Sequence, residues 1–388
     1  MTQHILDSMI RRESHLQRFG TFLISEYIDP TMKRLSIDIP KELVGLPGAT
    51  KADYNKTQRI IKTMIAEQYD FMWSSVTGEF PGMMEAELEF MQQLYTDFDD
   101  FEYDIPPTQR AFSTAMNGVM VLTGNKVDSG LWEDFLATNL ASAQQLVAGV
   151  VAQGWRDGQT INEITRNLRG TYNRQTKQYQ GGVINGKLKQ YARTIARTGV
   201  SHFSNRGRDS FALTNEDRIL FYVFFATLDN RTTTICLGNH LKKWKPRDKS
   251  RPELPLHYNE RSVYVFQTPS LDPTEFTRPV ISGRKSKAAA DRFEERQSRT
   301  DRKVRYKGRK DNDIFDVQQI QGTVTADEWM RRQPEWFVES SLGAERAKLF
   351  LNGKLPLDKF TNTFNRPLTL DELRETSDGE AAFRRANL

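Results

Sequence analysis

The chain has 388 residues, with 55 Lys and Arg against 50 Asp and Glu and a formal net charge of +5. This length exceeds that of one typical hydrophobic core, so we expect two or three domains. The single cysteine excludes an internal disulfide and favours an intracellular protein or one assembled in a cytoplasm. The N-terminus has no apolar signal core and the chain has no long apolar run, so no membrane segment is predicted.

The N-terminal part, residues 1–125, has the periodicity of amphipathic helices. Apolar residues recur at helical spacing from Ile60 to Met72, and a second amphipathic run extends from Met83 to Phe98. The pattern predicts an N-terminal helical bundle. Its Met and Phe stripes are expected to form the core of that bundle rather than a cofactor pocket.

Residues 126–270 are predicted to form a central module that begins with helices. One long helix is expected over residues 129–155, and the Thr160 and Glu163 spacing is that of a capping box that opens a short helix. A further helix is expected over residues 187–213, and its basic flank contains Lys189, Arg193 and Arg197.

The period of the pattern changes after this helix. The segments ILFYVFFATL (219–228) and RSVYVFQT (261–268) are rich in β-branched and aromatic residues, which is typical of buried strands. They are predicted to pair as a small antiparallel sheet. The loop between them contains Cys236, His240 and His257.

Residues 271–320 are predicted to be a basic linker. Positions 284–310 carry twelve Lys and Arg against four Asp and Glu, a local net charge of +8. Such a segment is either a solvated helix or disordered linker, or an electrostatic contact with nucleic-acid phosphates or an acidic partner. The candidate nucleic-acid-binding residues are Arg284, Lys285, Lys287, Arg302, Lys303, Arg305, Lys307, Arg309 and Lys310.

The C-terminal extension, residues 321–388, regains helical signals. Two further capping boxes start at Thr325 and Thr369, and residues 341–355 are typical of a short helix that closes near Gly353. The predicted fold class is therefore α+β and mainly α-helical, with short helices at the C-terminus.

The motif GGVINGKL (181–188) has the spacing of a phosphate-binding loop but lacks two of its features. Leu188 stands where a Ser or Thr hydroxyl should hold magnesium, and no apolar strand precedes the motif. ATP binding is therefore not predicted.

The loop around Cys236 has residue types that could bind a metal ion. Soft sulfur with imidazole suits zinc, and the candidate ligands are Cys236, His240 and His257, with an oxygen from Glu260 or Asp229. A structural zinc site usually has two close ligand pairs, and here only one pair is close in sequence. No cofactor is therefore predicted. A metal-dependent nuclease with the Cys236, His240 and His257 ligands is an alternative, as is a Cys236 nucleophile with a histidine base.

The segment DNRT (229–232) favours a turn, because Asp and Asn side chains bond to nearby backbone NH groups. The guanidinium of Arg231 can bind a carboxylate or carbonyls within the loop. We therefore expect a loop pinned by Arg231, with Cys236 and His257 packed or hydrogen-bonded beneath it.

Three blocks of the chain resemble the minor head proteins of tailed phages, the Mu F-like head morphogenesis family. The first is YARTIARTGVSHFSNRGR (191–208), which is similar to a family helix with an ARTE core. The second combines ATLDNRTTTIC (226–236) with LPLHYNERS (254–262). The third is residues 327–373, similar to a C-terminal extension in many of these proteins. Together they cover roughly half of the chain.

The resemblance places ten residues on the family motif: Asp229, Arg231, Thr232, Cys236, Pro255, Leu256, His257, Asn259, Arg261 and Ser262. Two positions depart from the family pattern. Gly199 stands where the family often has Glu, and Glu260 stands where it often has a second Cys. The missing thiol favours a hydrogen-bonded loop over a metal site or a disulfide.

The resemblance implies a structural role without enzymatic activity. Such proteins are assembled in the host cytoplasm, lie inside the virion head near the portal, and help to assemble heads or deliver DNA. The implied partners are the portal protein, the major capsid protein and packaged phage DNA. A portal adaptor or head-completion protein outside the capsid is a further alternative.

Overall fold

The computed structural model describes residues 5–46, 48–124, 127–285, 288, 291 and 314–388. The fold is α+β and mainly α-helical, as predicted. Buried apolar residues from its helices and from several of its strands belong to one hydrophobic cluster.

The N-terminal part consists of helices joined by short connections. A single π-helical turn, Ile24–Ile28, separates the first two of them. The helices are α1 (Ile5–Leu23), α2 (Asp29–Glu42), α3 (Lys51–Gly78), α4 (Phe80–Asp99) and α5 (Thr108–Met116).

The central part combines three helices with short hairpins. Its first elements are the hairpin β1 (Met120–Leu122) and β2 (Asp128–Gly130), then α6 (Trp132–Arg156) and α7 (Ile161–Arg169). These are followed by the hairpin β3 (Thr171–Asn173) and β4 (Gln178–Gln180), a π-helical turn (Val183–Leu188) and α8 (Lys189–Thr214). The hairpin β3–β4 occupies a segment that the sequence did not mark as strand.

A three-stranded antiparallel sheet lies beyond α8. Its strands are β5 (Phe221–Phe225), β6 (Lys243–Trp244) and β7 (Val263–Gln267), in the order β6-β5-β7. The predicted pairing of the two buried segments is confirmed, with Val223 opposite Val265. The short helix α9 (Thr234–Asn239) lies in the connection after β5.

The C-terminal part begins with a long hairpin. Strands β8 (Thr277–Gly283) and β9 (Phe315–Gln321) pair antiparallel along their full length, so paired strands occupy residues 277–283 and 315–320 of the predicted linker 271–320. The helices that follow are α10 (Ala326–Arg331), α11 (Glu335–Leu342), α12 (Ala344–Leu351), α13 (Leu370–Arg374) and α14 (Ser377–Ala386).

The three predicted capping boxes are confirmed. Thr160 accepts a hydrogen bond from the backbone NH of Glu163, whose carboxylate accepts one from the backbone NH of Thr160 at 2.8 Å. The same reciprocal pair opens the helices after Thr325 and Thr369. Each box satisfies backbone donors that the first helical turn leaves open, which is why the sequence signal located these helix starts so closely.

Helix α8 is the central element of the fold. It contacts α1, α4, α5 and α6, and most of its apolar side chains are buried. The Arg208 guanidinium, fully buried near its end, donates to Glu87 of α4 at 2.6 Å and to Glu13 of α1 at 2.7 Å. Arg12 binds the other oxygen of Glu87 at 2.6 Å. These buried ion pairs connect helices on the two sides of the domain boundary that was predicted near residue 125.

One helix among the described residues, Trp132–Arg156, is long and apolar enough to cross a membrane. A single helix of this kind is a weak indication of a membrane span. Its first residue, Trp132, packs edge-on against Trp73 and Phe80 in the core. The prediction of no membrane segment is compatible with this arrangement.

Replacing Arg208 with Met should lower the free energy of unfolding by about 3–5 kcal/mol, because it leaves Glu13 without its partner and the buried Glu87 paired with Arg12 alone. Urea denaturation measures the loss. Arg247→Met is the matched control, since the ion pair of Arg247 with Glu216 is exposed to solvent and should contribute little. Equal losses in the two variants would contradict the structural role of the Arg208 ion pairs.

Candidate functional site

The loop between β5 and α9 brings Asp229 into a buried position. Its carboxylate accepts hydrogen bonds from the backbone NH of Arg231 at 2.9 Å and from the hydroxyl of Thr232 at 3.0 Å. Arg261 adds a bidentate contact, with Nη1 at 2.6 Å from Oδ2 and Nη2 at 2.8 Å from Oδ1. The same Thr232 hydroxyl, which has one proton to share, also lies within hydrogen-bonding distance of the carbonyl of Thr227. The predicted turn is therefore closed around one carboxylate.

Arg261, rather than Arg231, pins this loop. The Arg231 side chain is 72% exposed, and its nearest guanidinium nitrogen lies 3.8 Å from Asp229. The prediction of a loop pinned by Arg231 is therefore wrong. The tight turn uses the backbone NH of Arg231 and directs its side chain to solvent.

The electrostatic effect of Arg261 on Asp229 is strong. Burial alone would raise the pKa of the Asp229 carboxyl, but the hydrogen bonds and positive charge of Arg261 lower it below its ordinary value. Asp229 is therefore ionised at neutral pH and forms a buried ion pair.

Three side chains converge beneath this loop to form the cluster of Cys236, His257 and Glu260. The Cys236 sulfur lies 3.0 Å from Nε2 of His257 and 3.2 Å from Oε1 of Glu260. Nε2 of His257 lies 3.1 Å from Oε2 of Glu260. The predicted hydrogen bonding of Cys236 and His257 is confirmed, and Glu260 completes a triangle of sulfur, nitrogen and oxygen.

Local backbone structure positions each member of the cluster. Thr233 caps α9, and its hydroxyl lies 3.3 Å from the Cys236 sulfur. Nδ1 of His257 lies 2.9 Å from the carbonyl of Tyr258. Oε1 of Glu260 accepts hydrogen bonds from the backbone NH groups that follow it, at 3.1 Å from residue 261 and 2.9 Å from residue 262.

The cluster contains a buried negative charge. Burial would raise the pKa of the Glu260 carboxyl, but the charge of His257 and the hydrogen bonds from Ser262 lower it. Burial and the charge of Glu260 raise the pKa of the Cys236 thiol. The thiol is therefore protonated at neutral pH, which does not favour the alternative in which Cys236 is an activated nucleophile.

His240 does not belong to this cluster. Its Nδ1 accepts a hydrogen bond from the backbone NH of Ala226 at 3.3 Å, and its ring packs edge-on against Phe225. Burial and the nearby Arg278 guanidinium hold the pKa of His240 well below its ordinary value. The proposed ligand set of Cys236, His240 and His257 is therefore wrong, because α9 ends before His240 and the chain turns back towards β5.

The loop of residues 254–262 is fixed to α8. Asn259 adopts a left-handed backbone conformation (φ 58°), and its backbone NH donates to the Thr198 hydroxyl at 3.2 Å. One residue further along α8, a Cβ at Gly199 would lie 2.6 Å from the Trp132 ring. The absence of a side chain at Gly199 therefore has a packing reason.

The cluster lies in the wall of a groove of about 920 Å³. The basic flank of α8 lines this groove, as do Arg231 and Arg261. Lys189 and Arg193 pair with Asp29, whereas Arg197 is exposed. The groove could therefore admit an anionic group, and its wall offers a sulfur, an imidazole and a carboxylate to a cation.

The candidate nucleic-acid-binding residues are only partly described. Arg284 pairs with Asp316 on β9 at 2.9 Å, and Lys285 is exposed. The remaining candidates lie outside the described residues: Lys287, Arg302, Lys303, Arg305, Lys307, Arg309 and Lys310.

No known protein family, curated protein or solved structure matched this chain in the comparisons. The resemblance to Mu F-like proteins therefore rests on the quoted motifs alone.

Replacing Asp229 with Asn should lower the free energy of unfolding by about 3 kcal/mol at neutral pH, because the largely buried Arg261 loses its charge partner. The Asp229 pKa is lower in the folded chain, so the stability from its ionisation is complete above the unfolded pKa, near 4. That contribution disappears as the pH falls through the lower, folded value, and the difference between wild type and variant should shrink there. Urea denaturation across this pH range measures both effects.

Two further variants test which of the two arginines stabilises the loop. Arg261→Gln should destabilise the chain strongly, whereas Arg231→Gln should have little effect because its side chain is largely in solvent. A comparable loss in both variants would show that Arg231 also holds the loop.

Proposed function

We propose that the chain is a minor head protein of a tailed bacteriophage, without enzymatic activity. It would be assembled in the host cytoplasm, lie inside the head near the portal, and aid head assembly or the packaging and delivery of DNA. Its partners would be the portal protein, the major capsid protein and packaged DNA.

One observation supports the proposal: the three blocks that carry the resemblance pack together in space. The second block is bound to the first through the Asn259 to Thr198 hydrogen bond. The third block packs on α9, whose first three residues belong to the second block. A Cβ at Gly238 of this helix would lie 3.0 Å from Cα of Asp358. Asn239 of α9 also donates to Asn365 at 2.7 Å. Segments far apart in sequence thus form one structural unit.

The motif residues have structural partners within this unit. The Asp229 and Arg261 ion pair is internal to it, and Asn259 and Ser262 are bonded through their backbone groups. Such a set of contacts is what a shared assembly module needs, since it holds a loop in one conformation. The outer faces of the N-terminal helices would then dock on the portal or inner capsid.

Co-sedimentation with phage particles tests the proposed location. We expect a tagged chain, expressed during infection, to sediment with full heads and procapsids on a gradient, at low copy relative to the major capsid protein. External protease should leave it intact in full heads, because the capsid encloses it. An unrelated tagged protein from the same infection is the control and should stay in the soluble fraction.

Two other outcomes would overturn the proposal. Digestion of the head-bound chain by external protease would place it outside the capsid, as a portal adaptor or head-completion protein. Recovery only in the soluble fraction would argue against any role in the head.

The basic stretch 284–310 is proposed to contact packaged DNA, on the strength of its local net charge of +8. A variant with six Gln replacements should bind DNA more weakly and show a shallower dependence of affinity on salt. The slope should fall by up to about one unit for each phosphate that is no longer neutralised. The replaced residues are Arg302, Lys303, Arg305, Lys307, Arg309 and Lys310.

A second variant with six Gln replacements controls for the overall reduction of charge. Its replaced residues are exposed and lie on α2 and α3: Lys33, Arg34, Lys51, Lys56, Arg59 and Lys62. Unchanged DNA affinity and salt slope in the first variant, or equal effects in both, would remove the proposed DNA contact.

A further inference from the structure

We propose that the cluster of Cys236, His257 and Glu260 is a binding site for one divalent transition-metal ion, zinc in particular. Among the described residues, these three form the one group of His, Cys, Asp or Glu with ligand atoms close enough to share an ion, all within 4.8 Å of one another. This inference does not depend on a role in the phage head.

The hydrogen bond of His257 supports the proposal. Because a carbonyl can only accept, Nδ1 of His257 must donate its proton to the Tyr258 carbonyl, at 2.9 Å. Nε2 is then the free ring nitrogen in the neutral imidazole, and it points at the Cys236 sulfur and the Glu260 carboxylate. A histidine that binds a metal is usually held in this way, with its second nitrogen donating to a carbonyl or carboxylate.

The Glu260 carboxylate is also held in a position to bind a cation. Oε1 of Glu260 is held by two backbone NH groups, so the side chain keeps its place without help from the other two ligands. Oε2 faces Nε2 of His257 at 3.1 Å. With neutral His257, two lone pairs would face each other there unless a proton or a metal ion lay between them.

The distances are close to those of a zinc site. Zinc binds sulfur at about 2.3 Å and nitrogen or oxygen at about 2.0–2.2 Å, so tetrahedral ligand atoms lie roughly 3.3–3.6 Å apart. The cluster has separations of 3.0 Å, 3.1 Å and 3.2 Å. Its three side chains would need to open by only a few tenths of an ångström, which rotation about their side-chain bonds allows.

The ligand set favours zinc over the common hard cations. A thiolate with an imidazole suits zinc or cobalt, whereas magnesium and calcium prefer oxygen ligands only. Three protein ligands leave one tetrahedral position, and the cluster lines the groove of about 920 Å³. Water from the groove would fill that position, as in zinc sites with an exchangeable ligand.

The charge and proton balance is simple. The Cys236 thiol loses its proton to solvent when it binds the ion, and any proton on Nε2 of His257 is released as well. The thiolate and the Glu260 carboxylate then neutralise the two positive charges of zinc. No oxidation or reduction takes place.

Metal titration of the full chain tests the proposal. After treatment with a chelator and its removal, the wild type should bind about one zinc ion per chain, measured by calorimetry, and should prefer zinc strongly to magnesium. Cobalt should bind in its place and give the near-ultraviolet absorption of a thiolate–cobalt bond. That band reports on Cys236 directly, since the chain has one cysteine.

The variants Cys236→Ser, His257→Gln and Glu260→Gln should each bind zinc at least about 100-fold more weakly than the wild type. His240→Gln and Arg231→Gln are matched controls. The first removes a buried histidine of the same loop and the second an exposed groove residue, and both should retain wild-type affinity.

Three outcomes would overturn the proposal. They are the lack of stoichiometric zinc binding, a cobalt complex without the thiolate band, and unchanged zinc affinity in Cys236→Ser and His257→Gln. The cobalt spectrum of the wild type decides the question even if a variant fails to fold, because it needs no substitution.

Discussion

The arrangement of the helices depends on the buried ion pairs of the Arg208 guanidinium. A charge in this position must be neutralised locally, and Glu13 of α1 and Glu87 of α4 do so from two different helices. Helix α8 is thereby fixed to the N-terminal helices at one end. Ten residues earlier, the Thr198 hydroxyl holds the loop of residues 254–262. The site therefore takes its geometry from a helix that the N-terminal part keeps in place.

Local signals made much of the fold predictable. Capping boxes marked three helix starts, and the β-branched and aromatic residues of β5 and β7 marked two buried strands. Strands β8 and β9 carried no comparable signal. Most side chains of β9 are exposed or half-buried, and the buried positions of β8 include Arg278, so neither strand shows a clean apolar alternation.

The site was predictable only in part, because its decisive contacts join residues far apart in sequence. Cys236 and His257 were found from their chemistry. Closeness in sequence, however, favoured Arg231 as the arginine that holds the loop and His240 as a partner of Cys236, and both choices were wrong. Arg231 is two residues from Asp229, yet the residue that binds this carboxylate is Arg261. His240 follows Cys236 by four positions, which would place both on one helical face if α9 continued. The helix ends at Asn239, so that periodicity does not apply.

The departure at Glu260 changes the chemistry of the cluster. A cysteine, which the proteins that this chain resembles often have at this position, could stay neutral when buried. Glu260 is instead ionised, and among the described residues His257 is the one basic side chain within ion-pairing distance of it. A divalent ion bound to all three side chains would neutralise that charge. Glu260 therefore offers a metal ligand where a second cysteine would also offer one. Because its charge is buried, the cluster depends more on a cation than a cluster with two thiols would.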